Sequence, residues 1–395
     1  MEGGEARTPI GEVGKASFDY LPVLDGFRAV SILLVVVSHT GLDRIVPGGL
    51  GVVVFFVISG FLITRQMIAE IAATGTLGFK AFYLRRVFRL APALLLYLAV
   101  FDTLLAALGA DITPMHVISG IFYFANYYHI FIGYPPHNPN PILWSLAIEE
   151  HFYLVAPLAV FLCRRSLKGL LMGLCLAVIL APLWRLTLYQ HCSADPMAGI
   201  CGLPGGLRIF HGTDTMFDCI AYGCLMAVVL HLHGRRVGEM ILRSGIPILV
   251  AGAVLLATLV VRNPIFRDTL RYSLQAGSIA VILASMLYGC WPWLHRLLCM
   301  GPALFIGRLS YSLYLFHFGV GTVLVLLFPG HSLLEPPLLL LFLAASFSLA
   351  ALSYYAVERP MVAVRKRFSA ARFKRANGSG AASKDGLAVG TSLPR

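Results

Sequence analysis

Ten apolar runs separated by short polar stretches mark out the chain, at residues 27–41, 49–64, 90–109, 142–162, 169–189, 215–233, 245–261, 272–290, 303–327 and 337–357. They are apolar on all sides rather than along one stripe, as helices are when surrounded by hydrocarbon or by one another. A bilayer needs about 20 such residues per helix, so the first two runs span only if flanking residues extend them. A further run, 117–132, is interrupted by Asn126 and rich in tyrosine, which predicts an interfacial or re-entrant segment. The predicted fold class is all-α: a polytopic membrane protein of about ten transmembrane helices. A short amphipathic helix carrying Lys80, Arg85, Arg86 and Arg89 is expected before the third span. No repeat appears at the periods that mark solenoids or arrays.

Composition strengthens this picture and charge orients it. Of 395 residues 58% are hydrophobic and 13% charged, with a mean hydropathy of +0.79, outside the range of soluble globular domains. The formal charge of +12 does not point to nucleic acid, because the basic residues sort by side. With ten spans, 25 of the 31 lysines and arginines fall on the side holding both termini, and six (Arg44, Arg185, Arg208, Arg262, Arg267, Arg271) fall on the other. The positive-inside rule then puts both termini in the cytoplasm. Residues 1–20 form a polar cytoplasmic segment without the apolar core of a signal peptide. Residues 21–362 make the membrane domain, and 363–395 a basic tail, expected to be disordered and to lie along anionic lipid. No appended soluble domain is expected. The eight cysteines show no metal-ligand spacing, so no metal site is expected. Cys192 and Cys201 share one loop, and whether they are bridged stays open.

Two polar side chains stand out within the first run. Arg28 and His39 are eleven positions apart, which returns to nearly the same helix face and separates them by roughly 16 Å along the axis. Asp25 is placed to cap the helix start and Gly41 to end it. Ionisable groups within a membrane segment call for a functional reason. On the ten-span topology Arg28 sits at the cytoplasmic end, with His39 toward the outer end and Glu149 and His317 at similar depth. Asp214 and Asp218 open the sixth span from outside.

Read in order, the motifs around these residues resemble the integral-membrane acyltransferase 3 family of bacterial O-acyltransferases. They are LDGFRA with the Arg28 and His39 spacing, VFFVISGFLIT (54–64), FYLRRVFRLAP (82–92), WSLAIEEHFY (144–153), GRLSYSLYLFH (307–317) and VERP (357–360). The resemblance covers 21–360. His151 stands where the family more often has Gln, and Met216 where Arg is expected. It implies an acyl-CoA-dependent enzyme of the bacterial cytoplasmic membrane that moves an acetyl or short acyl group to a hydroxylated acceptor. That acceptor is a sugar of an envelope or lipid-linked glycan or, alternatively, a macrolide-like small molecule. A transporter without bond-forming chemistry is the rival class, since buried His and Glu also serve proton relays; no inverted repeat supports it.

Within that scheme the residues take candidate roles. Arg28, Arg85, Arg86 and Arg89 would grip the phosphates of acyl-CoA through their guanidinium forks. The Arg28-to-His39 separation is comparable to a pantetheine arm, which would bring the thioester toward His39. There imidazole acts as general base or as acyl carrier, and spacing does not choose between them. Glu149 is the candidate to orient it. Tyr311, Tyr314 and His317, three residues apart on one helix side, line the acceptor pocket together with Asp214 and Asp218.

Overall fold

The computed structural model describes residues 20–134, 140–203, 207–362 and 364. The N-terminal segment 1–20, except its last residue, and the basic tail lie outside the described residues. Among the described residues fifteen α-helices follow one another. These are α1 (Pro22–Val37), α2 (Gly48–Thr74), α3 (Phe79–Ala107), α4 (Pro114–Ile121), α5 (Ala125–Phe131), α6 (Leu143–Leu162), α7 (Leu167–Ala194) and α8 (Leu207–His211). Then come α9 (Thr213–Ser244), α10 (Ile246–Val260), α11 (Pro264–Asp268), α12 (Arg271–Leu287), α13 (Pro292–Leu298), α14 (Gly301–Leu327) and α15 (Pro336–Ser353). Among the described residues there is no strand.

Each predicted apolar run has its helix, although not all ten are full spans. Among the described residues eight helical segments are long and apolar enough to cross a bilayer, and nine if α12 and α13, bent by 98°, count as one. The seventh run, α10, is only 15 residues long, about 22 Å at the α-helical rise. The run at 117–132 divides into α4 and α5, with Tyr123 at φ 56° in the break. The Asn126 amide there donates to the His211 carbonyl at 3.1 Å and to Thr213 Oγ1 at 3.0 Å. Its side chain ties this segment down instead of facing lipid.

The separate amphipathic helix does not exist as such. Phe79–Ala107 is one 29-residue helix running through Pro92, which forfeits one backbone hydrogen bond without stopping the chain. At about 43 Å, α3 outruns a hydrocarbon core of about 30 Å. Its first, arginine-bearing turns therefore stand at the membrane surface on the Arg28 side.

The middle of the bundle is α1, α2, α9 and α14: α1 packs on α2 and α14, and α2 on α9. Glycine permits the closest of these contacts. A Cβ on Gly60 would strike the backbone of Ile220, and one on Gly223 would strike the backbone of Val57, the small-residue packing expected between membrane helices. On the periphery, α7 presents Met172, Leu176, Ile179, Leu180 and Leu183 outward, the face that meets lipid.

The end of α1 is shaped by its own sequence. Ser38 Oγ donates to the Val35 carbonyl at 2.7 Å and Thr40 Oγ1 to the Val37 carbonyl at 2.8 Å. Such back-bonding competes with the regular ladder, and Gly41, at φ 105°, accepts the resulting turn. Residues Ser38–Leu42 form a π-turn, a local widening often found at functional sites, and it carries His39. At the other end Asp25 makes no cap. The helix begins at Pro22, so Asp25 lies inside the first turn and accepts from Arg28 at 3.0 Å and from the Tyr20 hydroxyl at 2.6 Å.

Candidate functional site

His39 leaves the π-turn exposed to a cavity of about 350 Å³ that is also lined by Tyr134, Trp144, His211, Tyr314 and Phe318. Its Nδ1 lies 3.1 Å from Nε2 of His317, which is fully buried in α14. Phe318 stands edge-on to the His39 ring at 5.2 Å. The tautomers follow from one carbonyl. Nδ1 of His317 is 2.9 Å from the Leu313 oxygen, and a carbonyl only accepts, so Nδ1 carries the hydrogen. Neutral His317 then offers the lone pair of Nε2, His39 donates Nδ1–H to it, and the lone pair of His39 remains on Nε2. A second cavity, of about 330 Å³, borders both imidazoles and runs to Leu333 and Phe342.

Arg28 borders a different and narrower space, about 80 Å³, lined also by Ser59, Arg89, Glu149, Tyr153 and Tyr311. Glu149 accepts from the Tyr153 hydroxyl at 2.9 Å and from Ser59 at 3.3 Å. The Tyr311 hydroxyl donates to the Leu90 carbonyl at 2.8 Å. The Arg28 and His39 cavities are lined in common by Val52 and Tyr314. Tyr314 is held there by Ser145 at 2.6 Å and the Ile142 carbonyl at 2.9 Å. Two spaces, one with two arginines and a carboxylate and one with an accessible imidazole, thus share Val52 and Tyr314 in their walls.

Several expected groupings come apart. Glu149 does not orient His39; it faces the Arg28 cavity, and His317 holds the imidazole instead. Counting residues from a helix end gives depth, whereas the direction a side chain faces depends on how α6 is rotated. Of the arginine cluster only Arg89 joins Arg28. Arg85 pairs with Glu70 at 3.2 Å. Buried Arg86 donates to Gln66 at 3.3 Å and lies over the rings of Tyr153 and Phe82 at 5.2 and 5.7 Å. Tyr311, Tyr314 and His317 come apart: Tyr311 lines the Arg28 space, Tyr314 that space and the larger His39 cavity, and His317 the second cavity beside His39.

Asp214 and Asp218 line none of these cavities. Asp214 is paired with Arg208 at 2.6 Å and with Trp184 Nε1 at 2.7 Å. Asp218 is fully buried against Arg185, with bonds of 2.8 and 2.9 Å. Arg185 also donates to the Thr269 carbonyl at 2.6 Å and to the Thr215 carbonyl. An arginine on a lipid-facing helix is thereby satisfied within the protein, a structural role. Removing one partner strands a buried charge at a cost of about 3–5 kcal/mol. Asp218→Ala is therefore expected to lower the thermal unfolding midpoint sharply in detergent, and an unchanged midpoint would contradict that role.

Sequence reasoning passed over Tyr134 and His211. They meet at 3.3 Å beside the His39 cavity, and His211 stacks on Trp144 at 4.6 Å. The histidine two positions before Thr213 was the available signal. His129, between them, is pushed down to about 3 by burial and by the neighbouring His211 and His116, so it stays uncharged at physiological pH. Cys192 and Cys201 form a disulfide, and they do not share one loop: Cys192 stands in the last turn of α7 and Cys201 in the segment that follows.

No solved structure matches the chain. It is 31% identical over 364 residues to YrhL of Bacillus subtilis (strain 168), provisionally named as a peptidoglycan O-acetyltransferase, with 87% of this chain and 55% of the relative covered. It is 28% identical over 367 residues to the peptidoglycan O-acetyltransferase OatA of Listeria monocytogenes serovar 1/2a, covering 87% and 56%. The chain spans about half the length of the curated relatives it matches. The family model described as an acyltransferase domain matches residues 21–355. That span takes in every residue lining the three cavities that meet around His39 and Arg28, and the chain belongs to the acyltransferase 3 family.

Proposed function

We propose that this chain is a membrane O-acyltransferase that takes an acetyl or short acyl group from cytoplasmic acyl-CoA and places it on a hydroxyl of an envelope glycan or lipid-linked sugar. The wall of Val52 and Tyr314 that the Arg28 and His39 cavities have in common carries the proposal. Arg28 and Arg89 offer guanidinium groups to the phosphates of the donor, and the narrow space above them suits a slender arm rather than a nucleotide. His39, accessible and with its lone pair on Nε2, borders the larger cavity where an acceptor fits.

The reaction is then a direct transfer. Nε2 of His39 takes the acceptor's hydroxyl proton as the oxygen attacks the thioester carbon. The C–S bond breaks, and the CoA thiolate leaves and is protonated. Charge developing on Nε2–H is shared through Nδ1–H to His317, the part an acidic residue plays in a triad. Positive-inside sorting supports a cytoplasmic Arg28 end. The Cys192–Cys201 bridge, at the opposite end, suits an oxidising exterior. The family and the peptidoglycan O-acetyltransferases among its relatives support the glycan acceptor.

Mass spectrometry of envelope glycans from cells with and without the gene tests this directly. Loss of an O-acyl mass increment on deletion, restored by the intact chain and not by His39→Ala, is expected. Identical glycan profiles in all strains would contradict it.

A further inference from the structure

With ten spans, six arginines are assigned to the side opposite Arg28, where positive-inside sorting leaves few. Arg185 and Arg208 are accounted for by Asp218 and Asp214. The other four, Arg44, Arg262, Arg267 and Arg271, all line one cavity of about 410 Å³ between the loop after α1, the end of α10, and α11–α12. Sequence positions more than 200 residues apart are gathered there. Among the described residues none of the four is in an ion pair shorter than 4.0 Å. Arg271 lies over Tyr272 and donates to its hydroxyl at 2.7 Å, while its Nε is buried without a hydrogen-bond partner. A buried guanidinium nitrogen in this state has a hydrogen bond left to give.

The cavity is not isolated from the chemistry. It shares Asp43, Gly48, Gly49 and Phe210 with the His39 cavity. Asp43 on its wall and Asp268, which acts electrostatically on Arg267 and Arg271, offset part of the charge. Four arginines against two carboxylates leave an excess of two positive charges. That balances a diphosphate diester, with one charge on each phosphate, better than a lone carboxylate. Arginine forks bind phosphate oxygens in pairs.

We infer that the four-arginine cavity binds the diphosphate of a lipid-linked sugar and thereby presents a hydroxyl of that sugar to His39. Calling the ligand the acceptor rests on the acyl-transfer reading; the binding of a diphosphate does not. The inference narrows the acceptor from glycans in general to a membrane-tethered precursor that still carries its diphosphate. Acylation then precedes the reaction that releases the sugar from its lipid.

Isothermal titration of inorganic pyrophosphate into the full chain in phosphatidylcholine nanodiscs tests it. Arg44 and Arg262 are exposed, so the double variant Arg44→Gln/Arg262→Gln is expected to fold. It should bind pyrophosphate at least about tenfold more weakly, as losing charge-assisted bonds implies. Arg85→Gln, whose side chain is committed to Glu70, should bind like the unaltered protein. Nanodiscs of equal parts phosphatidylglycerol and phosphatidylcholine supply the competing source, and binding should persist in them. Equal binding by the double variant, no binding by the unaltered chain, or loss of binding in phosphatidylglycerol would each overturn the inference, the last by assigning the cavity to a lipid headgroup. Pyrophosphate binding without any acyl transfer would count against the proposed reaction and leave the diphosphate site standing.

Discussion

Replacing His39 with alanine is expected to lower the rate of acyl transfer by about 10²–10⁴-fold, the contribution of a positioned general base, while acyl-CoA binding and protein yield stay normal. Binding survives because His39 borders only the wider cavities, whereas Arg28 and Arg89 border the narrow one. The partner histidine should show in kcat as well. His317→Phe removes the acceptor of His39 Nδ1–H and frees the imidazole to turn or to carry its hydrogen on Nε2. A loss of about 10–100-fold in kcat is expected, of the kind caused by a misplaced tautomer, with KM for acyl-CoA unchanged. His317→Gln, whose carbonyl can still accept, should recover part of it. Equal loss in both variants would mean that His317 serves packing alone.

On the donor side, Arg28→Gln or Arg89→Gln is expected to raise KM for acyl-CoA by about 10–100-fold, the equivalent of a charge-assisted hydrogen bond of about 1.5–3 kcal/mol. Arg85→Gln should change it little, because that side chain is committed to Glu70. Steady-state kinetics at varied acetyl-CoA separate the two classes. If Arg85 mattered as much as Arg28, the donor would be held by the whole basic face of α3, and the narrow cavity would lose its role.

How much of this is legible in the chain depends on whether a feature is local. The ten apolar runs each became a helix because burial in lipid leaves a backbone no other way to satisfy itself. The Arg28 and His39 register is also local, a matter of helical period within α1. Pairing between helices is not local. His317 was visible as a candidate, yet its contact with His39 crosses 278 positions, and no periodicity states which helices adjoin. Glu149 illustrates the same limit: its depth could be counted, its facing could not. Arg185 was tallied as an outer-face basic residue, although an arginine among the leucines of α7 signalled a buried acidic partner. The four arginines around the diphosphate cavity were individually plain in the sequence. Only the folding together of the α1 loop, α10 and α12 makes them one site.

The most direct measurement uses purified protein in phosphatidylcholine nanodiscs, labelled acetyl-CoA and a lipid-linked sugar diphosphate, with donor binding and acyl transfer followed in one sample. The expected result is label on the acceptor with the unaltered chain, donor bound but no transfer with His39→Ala, and weakened donor binding with Arg28→Gln. Transfer by His39→Ala at close to the unaltered rate would contradict a reaction centred on that imidazole.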